Sequence, residues 1–429
     1  MKWSKYNIEF RMEDDRIGVY HTFNNSFIII ENSELIDIKN QIKNKSIKVS
    51  NLTSPLFKNQ NIVESDDIFI NMLKYKSYLD RFDTTTLNLV IAPTADCNFA
   101  CPYCFEENKP RWYMDDKTTE NLIKFIKSYK KPTNITWFGG EPLLYKKKII
   151  EISMKLKEEN IDFYSSILTN GYLLTKGFIN ELKNLNINRV QVTLDGSEEV
   201  HNSHRPHKKG LKTFKRIIKN LDYLIPFASE NEIRVNIPVT IDFNNKDDYE
   251  NIYDFLYLRY KNSVENGTLN ISLNFVKDRK DTLSCKMDNQ SRVDFFLELA
   301  DKKKMNKRLV RAYLFPTQNI ASCMMRQINS FGIGPKGNIY KCLEEFTDPT
   351  KSIGNINKGR LEFEKIAKYT VASDVFDDTT CRSCSMLPIC IGGCPYDMIL
   401  DHEKQYSGNN CTIYKNNLDK VLNKYYIIK

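Results

Sequence analysis

The distribution of cysteine constrains this chain more than any other feature of its sequence. Of the eleven cysteines, all but Cys285 fall into two groups. The first group reads C-N-F-A-C-P-Y-C and comprises Cys97, Cys101 and Cys104. Three close thiolates can hold three irons of a four-iron cluster and leave the fourth iron open for chemistry. The second group occupies the last quarter of the chain and comprises Cys323, Cys342, Cys381, Cys384, Cys390, Cys394 and Cys411.

Disulfides and zinc are the alternatives to iron and sulfur. Disulfide frameworks occur mainly in short secreted chains, whereas this chain has 429 residues and its first residues, Met1 to Ser4, begin no apolar signal segment. Zinc stays open for the second group, because Cys381 and Cys384 have the spacing of half a structural zinc site. It is weaker for the first group, which has no Cys or His nearby as a fourth ligand.

Length and composition predict a globular protein of two or three domains. Hydrophobic residues make up 41% of the chain and charged residues 27%, and no apolar stretch approaches the roughly 18 residues of a membrane span. We therefore expect a cytoplasmic protein without a membrane partner. The net charge of +9 favours an acidic partner, but it does not choose between a peptide and a nucleic acid.

Residues 1–86 are predicted to form a small N-terminal unit. Residues 7–12 and 27–30 alternate like two strands, with Asn24 and Asn25 as turn residues between them. Helices are predicted over residues 35–42 and 67–78. The unit has about the size of a winged-helix module, and nothing in it looks catalytic.

Residues 87–309 alternate between strands and amphipathic helices, which predicts an α/β fold with a parallel sheet or barrel. Strands are predicted at residues 87–92, 135–138, 163–169, 189–194, 233–241 and 269–275, with helices at 118–130, 147–159, 176–184, 211–223 and 247–260. Six such units make a partial (β/α)6 TIM-like barrel. The first cysteine group then lies after the first strand, at the edge where barrels carry active sites. Residues 310–429 are predicted to form a cysteine-rich third domain.

The first cysteine group resembles the cluster motif of the radical S-adenosylmethionine (SAM) superfamily. After the second predicted strand, Gly139, Gly140, Glu141 and Pro142 match the GGEP motif of that family. A glycine turn ahead of a helix could give the same letters, but its position after the cysteine motif makes the resemblance specific. The resemblance implies that the catalytic cysteines hold a 4Fe-4S cluster whose open iron binds SAM. The GGEP backbone and carboxylate would bind the methionine amino group, and cleavage of SAM would yield a 5′-deoxyadenosyl radical.

The resemblance also implies further SAM contacts. Tyr103 matches an aromatic position near the adenine, and Thr169, Asn170 and Asp195 resemble SAM-contacting loop residues. Arg205 matches an arginine that pairs with the SAM carboxylate, a bidentate task suited to a guanidinium. Core packing for Tyr103, a helix N-cap for Asp195 and an unpaired surface position for Arg205 stay open as alternatives.

Two other patterns are interpreted as non-functional. Gly332 to Gly337 satisfy G-x-G-x-x-G, but residues 338–342 read as a strand returning from a hairpin rather than a helix, so a dinucleotide site is rejected. His201, His204 and His207 have a metal-like spacing, but a solvated loop is favoured over a metal site.

The second cysteine group matches the SPASM extension of the same superfamily. The resemblance implies that the second auxiliary cluster is held by Cys381, Cys384, Cys390 and Cys411, and the first by Cys323, Cys342 and Cys394. The first is one ligand short, because Asn329 stands where eight-cysteine relatives such as anaerobic sulfatase maturases have a cysteine. Water, a substrate thiolate or Cys285 could complete it, although Cys285 is favoured as a plain buried residue. The expected cofactors are three 4Fe-4S clusters and SAM.

Enzymes with this extension mostly act on peptides, and the N-terminal unit resembles leader-recognition domains. We therefore predict a maturase that abstracts hydrogen from a precursor peptide with a leader and forms a thioether to cysteine, with an electron donor such as flavodoxin or ferredoxin. Carbon-carbon or carbon-oxygen crosslinking is an alternative. Sulfatase maturation is another, disfavoured because Leu343 stands where those relatives carry aspartate. RNA modification is more remote, so no nucleic acid is expected as a partner.

Overall fold

The computed structural model describes residues 1–12, 15–106, 109–277, 283–302, 316, 318, 323–372, 374–402 and 411–428. The chain divides into two compact units. The terminal unit combines Met1–Phe82, Met287–Cys323 and Val371–Lys429, and the barrel unit combines Asp83–Lys286 and Met324–Thr370. The division into three domains at residues 86 and 309 stays a prediction, because these units follow packing and each is assembled from separated stretches.

The N-terminal part of the terminal unit is an antiparallel meander with three helices. Its elements are β1 Lys2–Trp3, β2 Asn7–Arg11, β3 Ile17–His21, β4 Ser26–Ile30, α1 Asn32–Lys43, α2 Ser54–Lys58, β5 Ile62–Val63 and α3 Asp67–Arg81. β2, β3 and β4 pair in that order, and β1 pairs with β5. The central strand β3 was not predicted. Four of its five residues are buried, so it lacks the alternation that marks a half-buried strand.

The barrel unit contains a ten-stranded open sheet. Its parallel strands, in spatial and sequence order, are β6 Leu87–Ile91, β7 Thr133–Trp137, β8 Phe163–Thr169, β9 Ile187–Val192, β10 Arg234–Ile241 and β11 Leu269–Phe275. The predicted α/β fold and parallel sheet are therefore confirmed. The helices are α4 Asp116–Tyr129, α5 Lys146–Glu158, α6 Lys176–Glu181, α7 Glu198–His204, α8 Phe214–Glu230, α9 Tyr249–Arg259 and α10 Lys261–Glu265.

The sheet continues beyond β6 with four short strands that were not predicted as part of the barrel. They are β12 Ser330–Ile333, β13 Asn338–Tyr340, β14 Gly354–Asn355 and β15 Arg360–Leu361, followed by helix α12 Phe363–Thr370. β12 is parallel to β6 and antiparallel to β13. The G-x-G-x-x-G stretch therefore turns a hairpin, with Gly337 at φ +79°, as the sequence predicted. β12 is buried at all four positions and therefore lacks the alternation of a half-buried strand. Its sequence does not show that it pairs with β6.

Helices complete the terminal unit: α11 Asn289–Asp301, α13 Thr379–Ser383, α14 Leu387–Cys390, α15 Pro395–His402 and α16 Leu418–Ile428. One hydrophobic cluster joins Tyr6, Phe69 and Leu73 of the N-terminal part to Val375 and Leu387. The N-terminal residues therefore share a core with the C-terminal cysteine-rich residues. Within the described residues, no helix is both long and apolar enough to cross a membrane.

Candidate active site

The first cysteine group lies on the loop after β6, as predicted. Cys97 is buried, and its sulfur accepts a hydrogen bond from the backbone amide of Phe99 at 3.4 Å. The backbone amide of Cys104 donates to the carbonyl of Cys101 at 3.2 Å. The thiols of all three cysteines act on one ammonium, that of Lys109, and raise its pKa against the opposing effect of burial. All three cysteines line the same cavity.

These thiols fit the predicted cluster by number and environment. Burial raises the pKa of Cys97 to about 12, so a bound metal must displace its proton. The cavity beside them is lined by no other cysteine and no histidine among the described residues. The described residues also contain no group of three or more Cys, His, Asp or Glu arranged around a single metal ion. A four-iron cluster instead spreads its ligands over separate irons, so three thiols leave one iron open.

The glycines of the GGEP motif bring two loops into contact. A Cβ on Gly139 would meet the carbonyl of Thr94, and one on Gly140 would meet the carbonyls of Ala95 and Asp96. Gly139 also has a φ of +126°, which other residues rarely adopt. The loop after β7 therefore lies directly on the backbone that precedes the cysteines.

Glu141 ties that loop to the end of β8. Its buried carboxylate accepts hydrogen bonds from the Thr169 hydroxyl at 2.7 Å, the Asn170 amide at 2.8 Å and the Leu143 amide at 3.0 Å. Burial raises the pKa of Glu141, and these hydrogen bonds oppose the shift. A carboxylate has about four acceptor sites, so one more donor fits. This agrees with the predicted amine-binding role, which stays a prediction.

Asp195, Tyr103 and Arg205 form one polar cluster, in which Asp195 is buried and the other two are partly buried. The Tyr103 hydroxyl donates to Asp195, while Nη1 of Arg205 lies 2.8 Å from the Tyr103 oxygen and 3.4 Å from Asp195 Oδ1. The alternative of an unpaired surface arginine is therefore wrong, and so is the N-cap alternative, because Ser197 precedes α7. Nε of Arg205 is buried without a hydrogen-bond partner in the described part of the chain, which leaves a donor for an anionic group.

The placement of the histidines in a solvated loop is wrong for two of them. His201 and His204 lie on α7, and His201 is completely buried. Nδ1 of His201 accepts a hydrogen bond from the Asp195 amide at 3.3 Å, and burial lowers the pKa of His201 well below its usual value. His201 is therefore a neutral packing residue. Only His207 follows the helix, in contact with the rings of Phe99 and Tyr172.

A cavity of about 590 Å³ joins these parts. Strands β9 to β11 contribute residues to its wall that sequence reasoning missed, among them Gln191, Asn236 and Ser272. Asn236 donates to Gln191 at 3.2 Å and accepts from Ser272 at 3.1 Å. Polar residues at inward strand positions were the available signal.

Two carboxylates that line the cavity were also missed. Burial raises the pKa of Glu106 to about 7, an effect that the nearby Lys109 opposes. Glu344 lines the same cavity from the turn after Cys342. Neither belongs to a motif, so only the fold reveals them.

The second cysteine group lines a separate, smaller cavity in the terminal unit. Four thiols surround about 50 Å³ together with Met386 and Leu387: Cys381, Cys384, Cys390 and Cys411. These are the residues predicted for the second auxiliary cluster, and the structure brings them together. Burial raises the pKa of Cys381 to about 12, so metal binding would have to release its proton. Four thiols in an apolar cavity fit a fully ligated cluster.

The ligands of the first auxiliary cluster stay a prediction. Cys323 and Cys394 belong to the terminal unit, and Cys342 belongs to the barrel unit. Cys285 is partly buried, and its carbonyl accepts a hydrogen bond from the Phe243 amide at 2.9 Å. The Asn329 side chain contacts the carbonyl of Thr86 at 3.5 Å.

Comparison with known proteins agrees with this geometry. Residues 91–256 match the radical SAM superfamily. A cysteine-type anaerobic sulfatase-maturating enzyme of Clostridium novyi is 25% identical over 345 residues, covering 72% of this chain and 88% of that enzyme. The radical SAM cyclopropyl synthase TigE of Paramaledivibacter caminithermalis is 27% identical over 410 residues, covering 86% of this chain and 78% of the synthase.

Solved structures share the fold. Native anSMEcpe with bound AdoMet aligns at a TM-score of 0.59 with 18% identity, covering 80% of this chain and 100% of that one. SuiB of Streptococcus suis bound to the precursor peptide SuiA aligns at a TM-score of 0.54 with 16% identity, covering 96% and 99%. The radical SAM match and these relatives identify the chain as an enzyme. Residues 91–256 of the chain therefore form a radical SAM domain.

Proposed function

We propose that this enzyme is a maturase that modifies a ribosomal precursor peptide. The observation that carries the proposal is the 590 Å³ cavity, into which the three thiols, the glycine motif and polar strand residues all face. Its volume lies within the range of roughly 300–1,000 Å³ that is typical of ligand sites. The cofactors we propose are SAM and three 4Fe-4S clusters, reduced in the cytoplasm by flavodoxin or ferredoxin.

The residues of the site have different roles in this proposal. When bound, the cluster and SAM supply a radical that removes a hydrogen atom from the substrate. Cys97, Cys101 and Cys104 would hold the cluster, and Glu141 would orient the amine of SAM. The donor left on Arg205 would meet its carboxylate, since a guanidinium binds carboxylates strongly. Fixed buried groups need little reorganisation during the reaction, which favours catalysis.

The bond that we propose is a thioether between a peptide carbon and a cysteine sulfur. The peptide loses one hydrogen atom from carbon to the radical, and the thiol loses a proton as the carbon-sulfur bond forms. One electron must then leave, and the auxiliary clusters are the proposed acceptors. A substrate thiolate would also account for the missing fourth ligand of the first auxiliary cluster.

Carbon-carbon ring formation is the second candidate. It is favoured by the similarity to the cyclopropyl synthase, which extends over 86% of this chain. Such a reaction also removes two hydrogens from the peptide, but it leaves every cysteine thiol intact. The two candidates therefore differ in thiol content and not in mass.

Sulfatase-type maturation is the third candidate, favoured by the sulfatase-maturating relatives. Leu343 stands at the position of their aspartate, which speaks against it. Glu344, one residue later, is nevertheless an acidic residue that lines the cavity. A sulfatase peptide with cysteine or serine at the modified position is therefore the substrate to test against a ribosomal precursor.

Recognition of the leader is assigned to the N-terminal part of the terminal unit. β4 is an edge strand, with pairing only to β3 among the described residues, and an extended peptide can add to such an edge. Helix α3 and the residue after it carry an exposed apolar row at spacings of four and three: Ile68, Met72, Tyr75, Leu79 and Phe82, each 39–66% exposed. A contiguous exposed apolar row marks an interaction surface.

Substitution within this row tests leader recognition. Tyr75→Ser combined with Leu79→Ser should weaken binding of the precursor leader at least about tenfold, measured by fluorescence anisotropy, because large aromatic and aliphatic side chains dominate such interfaces. Ile36→Ser on α1 is the matched control, since Ile36 is similarly exposed outside the row. Equal affinities for the row variant and the control would exclude this recognition surface.

Mass spectrometry of a co-expressed precursor, encoded beside this gene, tests the function. The thioether reaction predicts a loss of two hydrogens and one fewer alkylated thiol per event. A loss of two hydrogens with full alkylation would assign carbon-carbon or carbon-oxygen bonding instead. An unchanged precursor together with an oxidised sulfatase peptide would replace the proposed substrate class.

A further inference from the structure

Lys415 lies against the second cysteine cavity. Its ammonium donates a hydrogen bond to Sγ of Cys411 at 3.2 Å, and the side chain is partly buried at the cavity wall. The thiols of Cys384 and Cys381 also act on this ammonium, and all three raise its pKa. The single ammonium of Lys415 therefore interacts electrostatically with three of the four predicted ligands.

Backbone amides add to the positive environment of the same sulfurs. The Met386 amide donates to Cys384 Sγ at 3.4 Å, and the amides of Gly392 and Thr412 hydrogen-bond to Cys390. Gly392 belongs to a stretch of three residues with positive φ, including Ile391 at +46°. A β-branched residue is a genuine outlier at positive φ. Such outliers persist where the surrounding structure imposes them, commonly at functional sites.

Charge and hydrogen bonds to sulfur control how easily an iron-sulfur cluster accepts an electron. Reduction adds negative charge, so a nearby ammonium and N–H donors stabilise the reduced form. The wall of the cavity includes no carboxylate among the described residues, but Asp378, which is not part of the wall, hydrogen-bonds to the Cys381 thiol and places an opposing negative charge at that one sulfur. Lys415 is the charged side chain there, and Met386 and Leu387 are apolar.

We propose that Lys415 is a fixed positive charge that raises the reduction potential of the cluster held by Cys381, Cys384, Cys390 and Cys411, and thereby makes that cluster an electron acceptor. The proposal rests on the proposed ligand set. Lys415 would act through the sulfur that it contacts and would not bind iron itself. A protonated ammonium has no lone pair with which to bind a metal.

The test is a redox titration of the reconstituted full-length enzyme followed by electron paramagnetic resonance (EPR). Lys415→Met should lower the midpoint of one cluster, so that the ratio of reduced to oxidised cluster at a fixed potential falls about tenfold, equivalent to ~59 mV for one electron. Lys415→Arg, which keeps the charge, should stay near the wild type. Lys420→Met is the matched control, because Lys420 is an exposed cation on the following helix.

The outcomes separate failure of the lysine from failure of the ligand set. Unchanged midpoints in Lys415→Met would overturn the tuning role. If Lys415→Met and Lys415→Gln both lose the cluster while Lys415→Arg keeps it, Lys415 serves assembly and the proposal is also wrong. Cys381→Ala with Cys384→Ala should remove about four irons and the signal that shifts. Retention of both would instead refute the proposed ligands.

Discussion

The two cysteine-lined cavities use the same donor chemistry in opposite surroundings. In the barrel unit, three thiols face about 590 Å³ together with glycines, carboxylates and strand amides. In the terminal unit, four thiols face about 50 Å³ beside Met386 and Leu387. The larger cavity keeps room for a cofactor and a substrate, and the smaller one does not. In our proposal, the space around the sulfurs, more than the sulfurs themselves, separates a site that reacts from one that accepts an electron.

Loss of the first thiol group should give the largest effect. Replacement of Cys97, Cys101 and Cys104 by alanine is expected to abolish SAM cleavage, while about eight of the roughly twelve irons remain after anaerobic reconstitution. Deoxyadenosine is measured by liquid chromatography and iron by a colorimetric assay. Continued deoxyadenosine formation would refute the site, and zinc in place of the remaining iron would refute the assignment of the second group.

Gly140→Ala tests the contact between the two loops of the larger cavity. The new Cβ would meet the carbonyls of Ala95 and Asp96, so one loop must move. A displacement of about 1 Å at a reactive site costs on the order of 100-fold in rate, and SAM cleavage should fall accordingly. Gly177→Ala is the control, since no atom lies within 4 Å of its added Cβ. Wild-type cleavage in Gly140→Ala would contradict the described loop packing.

Disruption of a buried ion pair tests how strongly α3 is held in the terminal unit, which also contains the smaller cavity. Arg81 on α3 contacts Asp374 at 2.6 Å, and both side chains are almost fully buried. Arg81→Met should destabilise α3 by about 3 kcal/mol or more, because the remaining carboxylate loses its buried partner. Hydrogen exchange of α3 amides measures this. Lys39→Met, which breaks a more exposed pair with Glu9, should change stability by less than about 1 kcal/mol.

The same pair predicts a pH dependence. Burial alone would raise the pKa of Asp374, but hydrogen bonds from the Phe376 amide and from Arg81 lower it below its usual 3.8. A carboxyl whose pKa is depressed in the folded state stabilises the protein fully above its ordinary pKa. The protection of α3 should therefore decline as the pH falls below about 4, and Asp374→Asn should remove that component of the decline. An equal decline in the variant would assign the acid sensitivity to other groups.

Thr169→Val should give the smallest effect. It removes the hydroxyl that donates to buried Glu141, at a cost of about 1–3 kcal/mol in local stability or in the binding of SAM. Isothermal titration with SAM measures the loss of affinity. Thr136→Val is the control, because the Thr136 hydroxyl pairs with Ser166 and not with Glu141. Equal SAM affinities in the two variants would show that Glu141 does not depend on Thr169.

Three of the barrel strands, β6, β7 and β8, have a regular burial pattern, whereas β9 and β10 do not and were predicted from the alternation of strands with amphipathic helices. β8, for example, alternates between buried and less buried positions along its whole length. β3 and β12 escaped prediction because they are buried on both sides, and α7 escaped because it is short and follows a glycine. The two cysteine groups could be recognised from the sequence because the spacing between neighbouring ligands is visible along the chain.

Contacts between distant segments could not be predicted. The contacts of Arg205 with Asp195 and Tyr103 join residues up to 102 positions apart. The core shared by Tyr6, Phe69 and Val375 likewise has no local signal. This shared core also affects how the role of the N-terminal residues can be tested. Deletion of residues 1–86 would remove about half of the core against which Cys381 packs, so point variants on α3 are the sharper test of leader recognition.

The response of each cluster to SAM tests the central distinction most directly. EPR spectra of the reduced enzyme are recorded with and without SAM for two variants, one lacking the first three thiols and one carrying Cys381→Ala and Cys384→Ala. If the larger cavity holds the open iron, SAM will alter the spectrum of the second variant and leave that of the first unchanged. A spectral change on adding SAM to the variant without Cys97, Cys101 and Cys104 would contradict the account.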